Sequence, residues 1–467
     1  MTLSAATLRD LPAAIHTPAY ERAAHAPGVV HLGLGAFHRA HQAMVFDQLL
    51  AGGDSRWGIH GVGMTRPDLV NQLRAQDGLY AVRVADAQGL RWQVPGALWR
   101  THVATTERDA VVQAIAAPST RWVTLTVTEK GYTPSLAQLL LDGLRLRQQA
   151  GLPGLTIASC DNLQGNGLKL QALVKAAATA QDADVLRWLD AHCAFPCSMV
   201  DRIVPAATAE VMAAAQAALG VPDHCALSTE GFWEWVIEDR LADPADAALL
   251  QSAGVRVTGD VHSYEEAKLR MLNGSHSAMA LMGAVTGRPF IASCIGVDHI
   301  RRFVHRLMSR EVAPHLARSD WAEYRDALIA RFGNPYLKHS VHQIATDSSQ
   351  KIPQRWPPSV LGQIAQGASF EHHALAAAVF LRYTLGVDEQ GQAYALNDPQ
   401  AESLLALGAA QRTEPEHCVR ALLAREDLWG STLPGHTAWT ARVTHWHQQV
   451  LQLGVDGAIG QLLQQEP

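Results

Sequence analysis

Four short apolar runs in the first half of the chain restrict its fold more than any other feature. VVHLGLG (29–35), WGIHGVGM (57–64), WVTLTVTEK (122–130) and GLTIASCDN (154–162) are brief, rich in β-branched residues, and end in glycine or polar side chains. Segments with helical spacing, such as AMVFDQLLAGG and ERDAVVQAIAA, lie between them. A strand that is apolar on both faces must be covered on both faces, so strands alternating with helices predict βαβ units around a parallel sheet. The stretch 79–104 (LYAVRVADAQGLRWQVPGALWRTHVA) instead alternates apolar and polar residues, which predicts an antiparallel ribbon inserted into that sheet.

After about residue 262 the pattern changes. EEAKLRMLNG, HIRRFVHRLMSREVAPHLA, WAEYRDALIARFG and HHALAAAVFLRYTLG carry helical periodicity, and strand signals are few. A chain of 467 residues is too long for one ordinary core. The expected fold class is therefore α/β: a parallel-sheet domain over 1–262 and a mostly α-helical domain over 263–467, divided near GDVHSYEE. A cleft between two domains is a favoured place for a substrate.

Composition narrows the partners. Charged residues make up 18% of the chain, the formal net charge is -6 and the pI is near 6.4, without long Lys/Arg runs. Nucleic acid and anionic membrane are thereby disfavoured, and a small molecule is expected. No apolar window reaches the roughly 18 residues of a membrane span, and MTLSAATLRDLPAAIHTP lacks the features of a signal peptide, so a cytoplasmic protein is expected. Six scattered cysteines are too few for a disulfide framework. Cys193 and Cys197 frame HCAFPC beside His192, but Pro196 and the lack of a second Cys/His pair argue for buried thiols, and no metal is expected.

VVHLGLGAFHRAH places Gly33 and Gly35, followed by Ala36 and Phe37, where a strand turns into a helix. Glycines there let a backbone approach a pyrophosphate at a helix N-terminus, although His38 replaces the third glycine of the dinucleotide fingerprint. Arg66 and Asp68 follow the second strand candidate. An acid there accepts hydrogen bonds from the adenosine ribose and repels a 2'-phosphate, favouring NAD; Arg66 would instead welcome that phosphate. The alternative is that both residues only cap and solvate a turn. Thr128 and Glu129, at the end of another strand candidate, complete the cofactor set.

KLRMLNGSHSAMA (268–280) sets Lys268, Asn273 and His276 in an apolar run. On a helix advancing about 100° per residue, they fall at about 0°, 140° and 80°, within one broad arc. Glu265 lies three residues before Lys268, close enough to hold its charge or carry its proton outward. A desolvated lysine can act as a general base, and an amide donor can hold a developing alkoxide. Such a set suits hydride exchange at a secondary alcohol; alternatively, Lys268 only snorkels while Asn273 and His276 cap or cross-link helices. Asn162 follows a strand candidate, at the sheet end where ligands bind in open α/β folds. Asp201 and Arg202 lie in an apolar setting, and an ion pair between them is the plain alternative.

VHLGLGAFHRAHQA, TLTVTEKGY, SCDNLQGNG, FPCSMVDRIVP, FWEWVIED, KLRMLNGSHS and DSSQKIPQR, in this order, resemble the polyol-specific long-chain dehydrogenase/reductase family. That family includes mannitol 2-dehydrogenase and fructuronate (D-mannonate) reductase. The resemblance implies a zinc-independent NAD(P) enzyme with an N-terminal Rossmann-type domain and a helical C-terminal domain, and leaves a monomer open. It implies Lys268 as general base, Asn162 and Asn273 as the pair polarising the reacting oxygen, His276 and Asp201 as substrate-orienting residues, Glu265 as proton exit, and Asp68 as the selector of NAD over NADP.

The departures concern substrate. Where mannitol 2-dehydrogenases carry a substrate-contacting arginine, this chain has Gln343. KLRMLNGSHS and QKIPQR resemble the fructuronate reductase branch, whose substrate carboxylate calls for a cation, supplied by Lys351 or Arg355. Against that branch, the GYTPSLAQLLLDG region is short and DSSQ replaces DGSQ. The expected activity is NAD-dependent interconversion of a linear polyol or aldonate with its ketose or ketouronate, of the fructuronate reductase kind. The alternatives are a mannitol, D-arabinitol or sorbitol dehydrogenase, or a catalytically silent nucleotide sensor.

Overall fold

The computed structural model describes residues 2–22, 26–86, 89–336, 338–411 and 413–465. The chain forms two compact units, Met1–His262 and Ser263–Pro467.

The first unit is built on a fully parallel five-stranded sheet. Its strands are β1 (Val29–Leu32), β2 (Ile59–Gly63), β5 (Leu98–Val103), β6 (Trp122–Leu125) and β7 (Thr156–Ser159), in the order β5-β2-β1-β6-β7. Successive residues of one strand enter opposite cores. Val29, Trp122 and Ala158 pack on one face with Phe46 and Leu49 of helix Gln42–Ala51, whereas Val30, Val123 and Ile157 pack on the other. That second face is covered by helices Arg108–Ala116, Pro134–Gln149 and Asn166–Ala176. Burial on both sides is why these strands read as unbroken apolar runs.

The 79–104 stretch departs from expectation. β3 (Val82–Asp86) and β4 (Gly89–Gln93) do form an antiparallel hairpin, but they belong to a separate sheet in which β3 pairs in parallel with β9 (Leu227–Glu230). Only β5 joins the main sheet. Alternation marks a wet face, and Leu90 on β4 is indeed exposed, but it does not specify which distant strand becomes the partner. A third sheet pairs β8 (Ser198–Asp201) antiparallel with β10 (Glu234–Glu238), and β10 in parallel with β11 (Arg256–Thr258).

The second unit is helical, and among the described residues it has no strand beyond isolated bridges. Helices Gly274–Thr286 and Glu371–Tyr383 are buried on nearly all sides, as expected of central helices that carry apolar residues all round. Trp429, Trp439 and Trp446 fill the same core. Helix Thr437–Gln465 packs along Glu371–Tyr383 and bends at Gly454, whose φ of 71° breaks the helical path. Among the described residues, no helix is long and apolar enough to cross a membrane.

Candidate active site

In the first unit the order of the strands selects one edge of the sheet. From β1 the chain moves outward to β2 and β5, then returns to β6 on the other side of β1. Connections leaving β1 and β6 in opposite directions open a crevice at the carboxyl ends of the strands, the usual ligand position in open α/β sheets. Nine of the candidate residues sit on the four loops of this edge: Gly33, Gly35, Ala36 and Phe37 after β1, Arg66 and Asp68 after β2, Thr128 and Glu129 after β6, and Asn162 after β7.

Gly33 is irreplaceable on steric grounds. Its φ is 99°, and a Cβ there would lie 2.2 Å from the Thr126 carbonyl oxygen. Gly35 differs: a Cβ there would meet only Gly33 O, at 3.8 Å, so no protein atom demands this glycine. What it preserves is open space before helix Ala36–Ala40, whose first N–H groups have no acceptor within the helix. The helix kinks at His41 and continues as Gln42–Ala51. His38, in place of the third glycine, lies flat on His31 with ring centroids 3.3 Å apart. The ring thus packs on a side chain of β1 where a glycine would have none.

The sequence pattern did not mark His31 as important. Burial pushes its imidazole down to about 3, so it is neutral. Its Nε2 lies 3.1 Å from the Gly33 carbonyl, which can only accept, so Nε2 carries the hydrogen and Nδ1 accepts from the Thr124 hydroxyl at 2.8 Å. The one available signal was a polar residue in the middle of a core strand.

Arg66 and Asp68 open helix Pro67–Ala75, are exposed, and make neither an ion pair nor a side-chain hydrogen bond with any described residue. Neither therefore caps the helix by a side-chain hydrogen bond, and both side chains lie exposed at its first turn. Thr128 has φ 63° and ψ 168°, a region that β-branched residues avoid and that costs on the order of 1–3 kcal/mol. Its N–H donates to Oδ1 of Asp161 at 2.7 Å. Asp161, immediately before Asn162, is buried, and so is Asn166, whose amide bonds the Asp161 carbonyl and both backbone groups of Ser198 at 2.8–3.0 Å. Neither residue was expected from sequence. Asp201 ends β8 in the third sheet, buried, in register with Glu234. Arg202 donates to the carbonyls of Ala40 and Glu230. Cys193 is a free thiol, pushed up to about 11 by burial.

In the second unit the helical assumption made for 268–280 fails in one respect. Helix His262–Ala267 gives way to a π-helical segment, Lys268–Asn273, before the α-helix resumes at Gly274. The Gly274 N–H reaches the Leu269 carbonyl five residues back. In such a segment residues five apart stack, so Lys268 and Asn273 share a face rather than standing about 140° apart. Glu265, Lys268 and Asn273 are all half-buried.

His276 is buried, and its Nε2 has no hydrogen-bond partner among the described residues. Its ring packs against Phe332 and edge-on against His339, with centroids at 5.0 and 4.8 Å. Burial, then the charges of His339, Arg355, Arg331 and Lys351, hold it far below the ordinary imidazole range. His339 is pushed down to about 4, by burial and by Lys351. Arg355 donates from Nη1 to Asn273 O at 3.1 Å and Ser277 Oγ at 2.6 Å, while Trp356 Nε1 donates to Gly274 O at 3.0 Å. These bonds satisfy carbonyls where π turns into α. Lys351 Nζ donates to Ile344 O at 3.1 Å and Thr346 O at 2.5 Å, and burial followed by Arg355 lowers it to about 8. Gln343 is exposed on helix Val341–Ala345, one residue before Ile344, whose carbonyl Lys351 binds.

Comparison with known proteins follows the same division. The family model for the mannitol dehydrogenase Rossmann domain matches residues 27–247, and that for the mannitol dehydrogenase C-terminal domain matches 260–451. The chain is 35% identical to D-mannonate oxidoreductase of Escherichia coli over 98% of this chain and 100% of that protein. It is 36% identical to mannitol 2-dehydrogenase of Phaeosphaeria nodorum, over 84% and 75%. Among solved structures it is similar to Pseudomonas fluorescens mannitol 2-dehydrogenase in its ternary complex with NAD and D-mannitol, with a TM-score of 0.87, 30% identity and 100% of both chains covered.

Proposed function

The chain belongs to the mannitol dehydrogenase family of oxidoreductases, and from that premise we propose that it interconverts an aldonate with its ketouronate, D-mannonate and fructuronate being the best fit, using NAD. The residues fit such a coenzyme: Gly35 keeps a cradle that a Cβ would enter, and Asp68 is unpaired where the adenosine ribose binds in this fold class. NAD supplies the hydride acceptor. Gly33, Gly35, Ala36 and Phe37 bind the pyrophosphate, and Thr128 and Glu129 border it. Lys268 takes the proton of the reacting hydroxyl, Asn162 and Asn273 donate to its oxygen as charge develops, and Glu265 carries the proton outward. His276, neutral and with an unsatisfied nitrogen, orients a substrate hydroxyl, as does Asp201.

One observation supports an acid over a neutral polyol. Lys351 and Arg355 influence His276 electrostatically, yet among the described residues they hydrogen-bond only to carbonyls and a hydroxyl and make no ion pair. Both are half-buried, Asp347 and Asp398 act on Lys351 only from a distance, without forming an ion pair, and a substrate carboxylate would compensate the cationic charge that remains. A second reading, a sugar-alcohol dehydrogenase, is favoured by the likeness to an enzyme that binds D-mannitol. NADH absorbance assays with D-mannonate, fructuronate, D-mannitol, D-arabinitol and sorbitol separate the two. The proposal expects kcat/KM for D-mannonate at least tenfold above that for any neutral polyol; a preference for mannitol or sorbitol overturns it.

A further inference from the structure

We infer that Asp161 is a positioning residue, a latch that holds the Thr128 turn in a backbone conformation threonine does not adopt unaided, and that coenzyme affinity depends on this latch. The inference rests on the NAD reading above but not on the identity of the substrate.

Thr128 combines φ 63° with ψ 168°, a combination that is otherwise nearly the preserve of glycine. A β-branched residue stays there only if its surroundings overdetermine it, and the Asp161 carboxylate does so. It is 6% exposed; Oδ1 accepts the Thr128 N–H at 2.7 Å, the Val127 N–H also donates to the carboxylate, and Tyr132 Oη donates to Oδ2 at 3.2 Å. Tyr132 Oη is itself fixed to Ser159 Oγ at 2.5 Å.

The acid cannot drift. Its N–H donates to Ser159 Oγ at 3.3 Å, and its carbonyl accepts from Asn166 Nδ2 at 3.0 Å. Asn166 is anchored in turn by Ser198, through bonds of 2.8 and 2.9 Å. The latched turn also adjoins the glycine loop, because Thr126 Oγ1 donates to the Gly33 carbonyl at 2.8 Å. Asp161 therefore joins the β6 turn to the loop that begins with Asn162, on the edge where a dinucleotide is bound in this fold class.

A role in general folding and a role as a latch predict different things at residue 128. Glycine adopts the observed conformation without strain, so a chain with glycine at 128 needs no latch. The test is NADH fluorescence titration of the full-length protein without substrate. Asp161→Ala is expected to weaken NADH about tenfold, equivalent to about 1.4 kcal/mol. Asp161→Ala combined with Thr128→Gly is expected to return to within threefold of Thr128→Gly alone. Binding unchanged in Asp161→Ala, or a double variant as weak as the single one, overturns the latch. If Asp161→Ala does not fold, Asp161→Asn carries the test: it keeps an acceptor but loses charge, and should bind threefold or more weaker with the same rescue by Thr128→Gly. Absence of either effect is again fatal. A wrong substrate assignment leaves this titration unaltered, whereas a parent protein that binds no NADH overturns both the latch and the coenzyme reading.

Discussion

On the proposed aldonate reading, replacing Lys351 with methionine should remove most of the preference for an acid substrate. Methionine retains most of the length and apolar surface while removing the charge. Two ammonium protons of Lys351 are committed to the Ile344 and Thr346 carbonyls, leaving one for a ligand. A hydrogen bond to a charged group contributes about 1.5–3 kcal/mol, so kcat/KM for D-mannonate should fall roughly 10- to 150-fold. D-mannitol, which lacks the carboxylate, should change by less than about threefold by the same reasoning. The pH dependence has a definite sign. An amine lowered to about 8 is charged below that pH and neutral above it. Because kcat/KM reports ionisations of the free enzyme, the mannonate-to-mannitol ratio of kcat/KM should be flat below about pH 8 and fall above it, with the Lys268 contribution cancelling. Assays from about 1.5 pH units below to about 1.5 above the Lys351 value of about 8 measure this. If Lys351→Met leaves the ratio and its pH profile unaltered, Lys351 does not meet the carboxylate.

The glycine turn provides a paired test. Gly33→Ala forces a Cβ to within 2.2 Å of a carbonyl oxygen at positive φ, so it should lower Tm by several degrees. Gly35→Ala meets open space, so it should keep the parental Tm while weakening NADH in fluorescence titration; a destabilised Gly35→Ala would refute this division of roles. Asp68→Ser should raise the NADP-to-NAD ratio of kcat/KM about tenfold or more, since Arg66 then faces the phosphate without a competing acid. An unchanged ratio would show that neither residue meets the ribose.

The sheet and the helical half were legible because burial leaves a direct trace: β1, β6 and β7 are covered on both faces, and the central helices on all sides. The loops after these strands were legible too, since glycine at Gly33 is demanded by backbone geometry alone. What stayed hidden depended on partners distant in sequence or on departures from ideal geometry. The pairing of β3 with β9 spans about 145 residues, as Arg83 with Ser228 shows, and no local pattern encodes it. The π segment was hidden because an apolar run with small residues reads as an ordinary helix, and the carbonyls that π geometry leaves over are met by Arg355 and Trp356 from another helix. Asp161 stands beside Asn162 in the same motif, but its partner Thr128 is a residue type that normally avoids positive φ, so nothing local announced the strain. Lys351 shows the same limit: its electrostatic action on His276 comes from a different helix, which no local pattern encodes.

The account depends above all on the amine that opens the π segment. Steady-state turnover of Lys268→Ala at neutral pH, alongside its NADH affinity, tests it most directly. General-base catalysis of this kind supplies roughly 10²- to 10⁴-fold in rate, so kcat should fall by at least about a hundredfold while NADH binds within about threefold of the parent. Near-parental kcat in a protein lacking that amine would contradict the mechanism.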